Sequence, residues 1–149
     1  MVIHGAGDAS NPVVFTADGT VVCQVPPGTH CAASLTPGAY RLYIAWTPAV
    51  VDVWELQVAA GRTYYGTLHA PRMGWGGYVN EKLTPASPHW ANLQQYLAGQ
   101  SVAIDPARAG ELAAELGDVS QLVERGDVRF ERYDERHVEA HTFRPDDGV

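Results

Sequence analysis

The sequence predicts an α+β protein: a mostly antiparallel β-sandwich of about six or seven strands, followed by a C-terminal helical region. Three observations carry this. Residues 40–46 and 50–58 alternate apolar and polar with the period of a strand. Turn chemistry recurs at Asp18-Gly19, Pro37-Gly38 and Ala60-Gly61. Cap-plus-proline pairs then appear at Ser87-Pro88 and Asp105-Pro106, and the apolar spacing behind them changes to threes and fours.

Taken in order, residues 1–11 read as a loose lead-in, rich in glycine and ending at Asn11-Pro12. Val13–Thr16 and Thr20–Gln24 form a hairpin about Asp18-Gly19, whose residues tolerate the positive φ of a primed turn. Cys31–Leu35 is a short third strand. In Tyr40–Trp46, Leu42, Ile44 and Trp46 face the core, and Arg41, Tyr43 and Ala45 face away. In Val50–Val58, Trp54, Leu56 and Val58 point inward, and Val53, Glu55 and Gln57 outward. Thr63–His69 returns, and Tyr78–Leu83 is a seventh strand, closing a sandwich over residues 12–84.

A helical extension over 85–141 packs on it. Ser87–Leu97 presents Trp90, Leu93 and Leu97 on one face, and Ser101–Ile104 is a short strand. Helices follow Asp105 and Asp118, the first burying Leu112 and Leu116, the second Val119, Leu122 and Val123. Gly126 kinks or breaks the second. Asp127–Ala140 is then helical with Phe130 and Tyr133 inward, and 142–149 is an extended tail. Amphipathic helices are the ordinary cover of a sheet, so these apolar stripes belong on the chain's own sandwich rather than on a partner.

Composition narrows the function. At 149 residues the chain fits one domain with a real core. The net charge of −7 offers no cationic surplus to displace counterions from phosphates, which argues against nucleic-acid binding. Residues 105–149 hold 12 of the 17 acids and 6 of the 10 basic residues, so a nearly neutral front precedes a charged tail. No apolar run is long enough to span a bilayer. Met1–Gly5 shows neither the basic start nor the apolar core of a leader, which fits a cytoplasmic chain or a mature segment.

Cys23 and Cys31 lie eight apart around Pro26-Pro27-Gly28. They either close a disulfide, worth roughly 2–3 kcal/mol for so short a loop, or stay as two buried thiols acting as small hydrophobes. A bridge favours an oxidising compartment.

Asp18-Gly19, Pro37-Gly38 with Tyr40, and Gly61 with Thr63, Tyr64 and Tyr65 occur in one order over about 55 residues. Together they resemble β-sandwich domains of bacterial envelope lipoproteins, similar to the PEGA surface-domain family. The closing Thr142–Gly148 resembles the end of longer members that carry a helical extension. The resemblance implies a non-catalytic structural or binding role in the periplasm or outer cell envelope, with another envelope protein or a glycan as partner. It brings no catalytic residues and no cofactor. The start of this sequence carries no lipid-acceptor cysteine, which leaves anchoring open.

Several constellations bear on chemistry. His137 and His141 stand at i and i+4, the spacing of a zinc-binding helix pair, but Val138 occupies the place where a metalloprotease needs glutamate, and Glu139 is on the wrong face. With a third ligand from elsewhere, the pair supports the alternative of a small hydrolase or metal-dependent enzyme. Ser34, Ser87, His30, His69 and Asp52 supply the residue types of a triad without a Gly-x-Ser-x-Gly elbow. Asp52, Glu55 and Glu81 supply those of a paired-carboxylate site. Gly5-x-Gly7 and Gly74-x-Gly76-Gly77 lack the ending of a phosphate loop. Arg72, Met73, Trp75 and Tyr78, on the second of these, form a candidate surface for a sugar or a partner; the alternative folds Trp75 back over the sandwich edge. A cytoplasmic protein-interaction domain with reduced cysteines is the third functional alternative.

Overall fold

The computed structural model describes residues 1–6, 11–69 and 79–149. Among them ten strands form two five-stranded sheets, and four α-helices follow or flank them. The strands are β1 (Val2–Ala6), β2 (Val13–Thr16), β3 (Val21–Gln24), β4 (Thr29–Ala32), β5 (Gly38–Thr47), β6 (Val50–Val58), β7 (Tyr65–His69), β8 (Val79–Leu83), β9 (Gln100–Ser101) and β10 (Thr142–Phe143). The helices are α1 (Leu93–Leu97), α2 (Pro106–Leu116), α3 (Val119–Phe130) and α4 (Glu135–His141).

The first sheet runs β8-β7-β1-β4-β9 and the second β10-β6-β5-β2-β3. Apolar side chains from both, including Ile3, Leu68, Leu42, Ile44, Trp54 and Leu56, form one core cluster between them. The turns are where their residues put them. Gly19 and Gly61 take φ of 84° and 72°, the left-handed region that glycine enters without penalty.

The sandwich is mixed rather than mostly antiparallel. β1 runs parallel to β7, β9 to β4, and β10 to β6. Both ends of the chain cause this. Instead of a lead-in, Val2–Ala6 is a strand between β7 and β4, with Ile3 buried. Five residues whose apolar pattern is interrupted by His4 and Gly5 carry little periodicity; two neighbouring strands make a strand of them. Instead of a free extended tail, Thr142–Phe143 pairs with Glu55–Leu56, and Phe143 packs edge-on to Trp54 at 5.3 Å. Val149 then exchanges two backbone hydrogen bonds with Thr63.

The outer face of the second sheet is also covered. Tyr43 (2% exposed), Ala45 (9%) and Val53 (0%), read as outward from alternation, lie beneath α3 with Leu122. Alternation distinguishes two faces but cannot say that both are dry. Gly126 does not break α3; it is where the helix comes closest to the sheet. A Cβ there would stand 2.9 Å from Tyr43 Cδ1 and 3.0 Å from Val53 Cγ2.

Asp105 and Asp118 cap α2 and α3, accepting from the amides of Arg108 (2.8 Å) and Gln121 (3.3 Å). A third cap, Asp134, accepts from His137 N at 2.9 Å and divides the expected 127–140 helix into the end of α3 and a separate α4. Ser87 does not cap a helix. Its hydroxyl accepts from Thr84 N, and the segment behind it is a 3-10 turn (Trp90–Asn92) leading into the short α1. The third expected strand moves from 31–35 to Thr29–Ala32, and the one at 101–104 to Gln100–Ser101.

Candidate functional site

Polar residues concentrate where the two sheets, α3 and α4 meet. β6 has the alternation of a strand buried on both faces: Val51 and Val53 lie under α3, while Trp54 and Leu56 face the other sheet. Asp52 shares the inner parity, so its carboxylate is driven into the sandwich and is 1% exposed. A buried carboxylate persists only where donors replace water.

Three side chains supply them, and a fourth adds a positive charge. Trp46 Nε1 donates to Oδ2 at 3.1 Å, and Asn80 Nδ2 donates to the same oxygen at 2.6 Å from β8 of the opposite sheet. The Tyr133 hydroxyl donates to Oδ1 at 2.8 Å. Arg129 Nε stands 2.5 Å from Oδ1; its N–H is not aligned with that contact, so it acts as an ion pair. β10 covers β6 only at Glu55 and Leu56. The end of α3 and the residues after it reach Asp52 past that short strand.

The electrostatics follow. Burial, and next the Asp52 charge, push the Tyr133 hydroxyl up to about 12, so it is a fixed donor at any ordinary pH. Burial works against the charge of Arg129, but the neighbouring Tyr133 and the Asp52 charge outweigh that and push its pKa up. His141, buried beside Tyr133 with ring centroids 4.8 Å apart, is pushed down chiefly by burial. Its Nδ1 is 2.8 Å from the His137 carbonyl, which only accepts, so the proton of the neutral ring sits on Nδ1.

A cleft of about 650 Å³ opens above this cluster, between β8 and α4. Its lining includes Asn80, Glu81, Arg132, Tyr133, Arg136 and His137. Lys82 fastens the wall, reaching Glu139 of α4 at 2.7 Å and Asp147 at 2.9 Å.

The expected site residues fare unequally. His137 and His141 do share the cleft side of α4, but His137 Nδ1 is 2.6 Å from Asp134 Oδ1, and the described residues hold no group of three side chains placed to bind a metal ion. The two rings are brought together with Tyr133, not with a third ligand. Cys23 and Cys31 form a disulfide, joining β3 of one sheet to β4 of the other across a Cα separation of 6.5 Å. Arg72, Met73, Trp75 and Tyr78 lie outside the described residues.

The triad and paired-carboxylate combinations are not assembled. Ser87 bonds to Thr84 and Lys82, and Glu55 pairs with Arg41 on the outer face of the second sheet. His30 lies opposite His4 on the first sheet, where His4 also stacks on Tyr96 at 4.4 Å. Sequence reasoning named Asp52 but missed its partners Asn80, Arg129 and Tyr133. The only signal was an acid in the middle of an otherwise apolar strand.

No family model, no curated protein and no solved structure matches the chain.

Proposed function

We propose that the protein is a non-catalytic binding or structural module of the bacterial cell envelope, working on the oxidising side of the membrane and holding an envelope protein or a glycan. The observation that carries this reading is the disulfide Cys23–Cys31, which ties the two sheets together through the core. Such bridges form and persist where thiols are oxidised, and are rare in the cytosol. The likeness of the three turn motifs to PEGA-type surface domains points the same way.

The Asp52 cluster supports the non-catalytic part. Oδ2 has two donors, and Oδ1 has one donor and an ion pair, so the group is engaged in holding Asn80, Arg129 and Tyr133 and is not presented to a substrate as a base. The histidine pair has its Nδ1 atoms engaged as well.

The test is thiol accounting in the native host. Protein recovered from cell fractions without reductant, denatured and alkylated, is expected in the envelope or periplasmic fraction with both cysteines blocked to the reagent until a reductant is added. Free thiols in protein recovered from the cytosolic fraction would overturn the reading.

A further inference from the structure

The geometry points to the cleft between β8 and α4 as a binding site for an acidic oligosaccharide, one whose sugar units carry a carboxylate. This rests on the binding-module reading and names its ligand class.

The floor of the cleft contains an acceptor without a donor. Asn80 is 1% exposed, and its amide is oriented by the bond from Nδ2 to Asp52 Oδ2. That leaves Oδ1 turned away from Asp52, buried, and with no hydrogen-bond partner among the described residues. Buried acceptors are almost always satisfied, and leaving one open costs free energy; Oδ1 is closed to solvent, so a ligand hydroxyl recovers that cost only by displacing the side chains over it. Because Asp52 is itself held by Trp46, Arg129 and Tyr133, the amide cannot simply rotate to relieve the defect.

The rim contains cations without anions. Arg129 is matched by Asp52, but Arg132 and Arg136, four apart in sequence and both exposed, have no ion-pair partner among the described residues. Of the two carboxylates in the lining, Asp134 is engaged by His137 Nδ1 and by the His137 amide, and Glu81 stands beside Asn80. Two planar guanidinium forks in one lining suit a carboxylate. Tyr133 and His137, their rings 5.6 Å apart, add aromatic surface to the same lining. Hydroxyls for Asn80 Oδ1 and Glu81, a ring face for the aromatics and a carboxylate for the arginines describe a uronic-acid unit. The volume is within the range of small-molecule sites.

The experiment titrates the whole protein with an oligomer of galacturonic acid, and in parallel with a galactose oligomer of the same length, by calorimetry and amide NMR at low ionic strength. The expected result is saturable binding of the acidic oligomer, with the Asn80 side-chain amide and the α4 amides shifting. The neutral oligomer should bind at least about tenfold more weakly. The double variant Arg132→Gln/Arg136→Gln, at exposed positions, should lose a similar factor, while Arg108→Gln on α2 binds normally. No binding of the acidic oligomer, equal binding of the neutral one, or binding that the double variant leaves unchanged would each overturn the assignment. Mass analysis of the oligomer after long incubation separates this proposal from the one it rests on. An intact oligomer is expected; a shortened one supports the site and overturns the non-catalytic role.

Discussion

Asp52 is the residue on which the polar end of the molecule turns. It joins the neighbouring strand β5 through Trp46 to two regions far along the chain, β8 through Asn80 and the end of α3 with the residues after it through Arg129 and Tyr133. A carboxylate this buried is worth little relative to a well-packed apolar replacement, but removing one partner of the set leaves the others desolvated and unpaired. Asp52→Ala is therefore expected to destabilise the fold by about 3–5 kcal/mol, and Tyr133→Phe, which deletes one donor and leaves the ring, by about 1–2 kcal/mol. Denaturant unfolding monitored by tryptophan fluorescence measures both. Equal, near-zero losses would show that the cluster is not a latch. The same Tyr133→Phe variant should lose the highest step in a spectrophotometric tyrosine titration, because that hydroxyl is held to about 12.

At the scale of elements, α3 shows how a helix is fitted to a sheet. Its inner stripe of Val119, Leu122 and Val123 was legible as spacing, but its separation from the sheet is set by Gly126. Glycine weakens a helix interior by about 1 kcal/mol relative to alanine, so on propensity alone Gly126→Ala should stabilise. The contacts that a Cβ would make with Tyr43 and Val53 reverse the sign, since crowding a packed interface costs about 1–3 kcal/mol. The expected outcome is a net loss of about 1 kcal/mol and a lower Tm by thermal circular dichroism. A gain in Tm would mean that the helix stands off far enough for propensity to decide.

For the molecule as a whole, part of the response to acid follows from the histidines of the first sheet. His4 is pushed down from 6.5 to about 4, first by burial and then by the charges of His69 and His30. His69 is lowered too, by burial. A histidine depressed in the native state stays neutral while the unfolded chain takes up its proton, so the unfolded state binds more protons below 6.5. Stability contributed by these groups is therefore present above pH 6.5, and falls as the pH drops towards about 4. His4→Phe, which keeps a ring against Tyr96, should flatten that slope in denaturant midpoints measured between the two values. An unchanged slope would assign the acid sensitivity to other groups.

The sequence alone determined what depends on neighbours along the chain. The Asp-Gly and Ala-Gly corners, the inward parity of Leu42, Ile44, Trp54 and Leu56, and the aspartate caps of α2 and α3 are all local, because backbone φ, period-2 alternation and capping are settled within a few residues. The one local signal left unread was Asp134, a cap like the other two. Tertiary structure decided everything that rests on pairing across distance. Val2–Ala6 and Thr142–Phe143 are strands only because partner strands await each, and each has a parallel partner, which no hairpin turn announces. Tyr43 and Val53 are buried only because α3 lies over them. The Asp52 cluster and its cleft arise for the same reason: hydrogen bonds between residues 28 and 81 positions apart leave no pattern in a single chain until the fold brings the partners together.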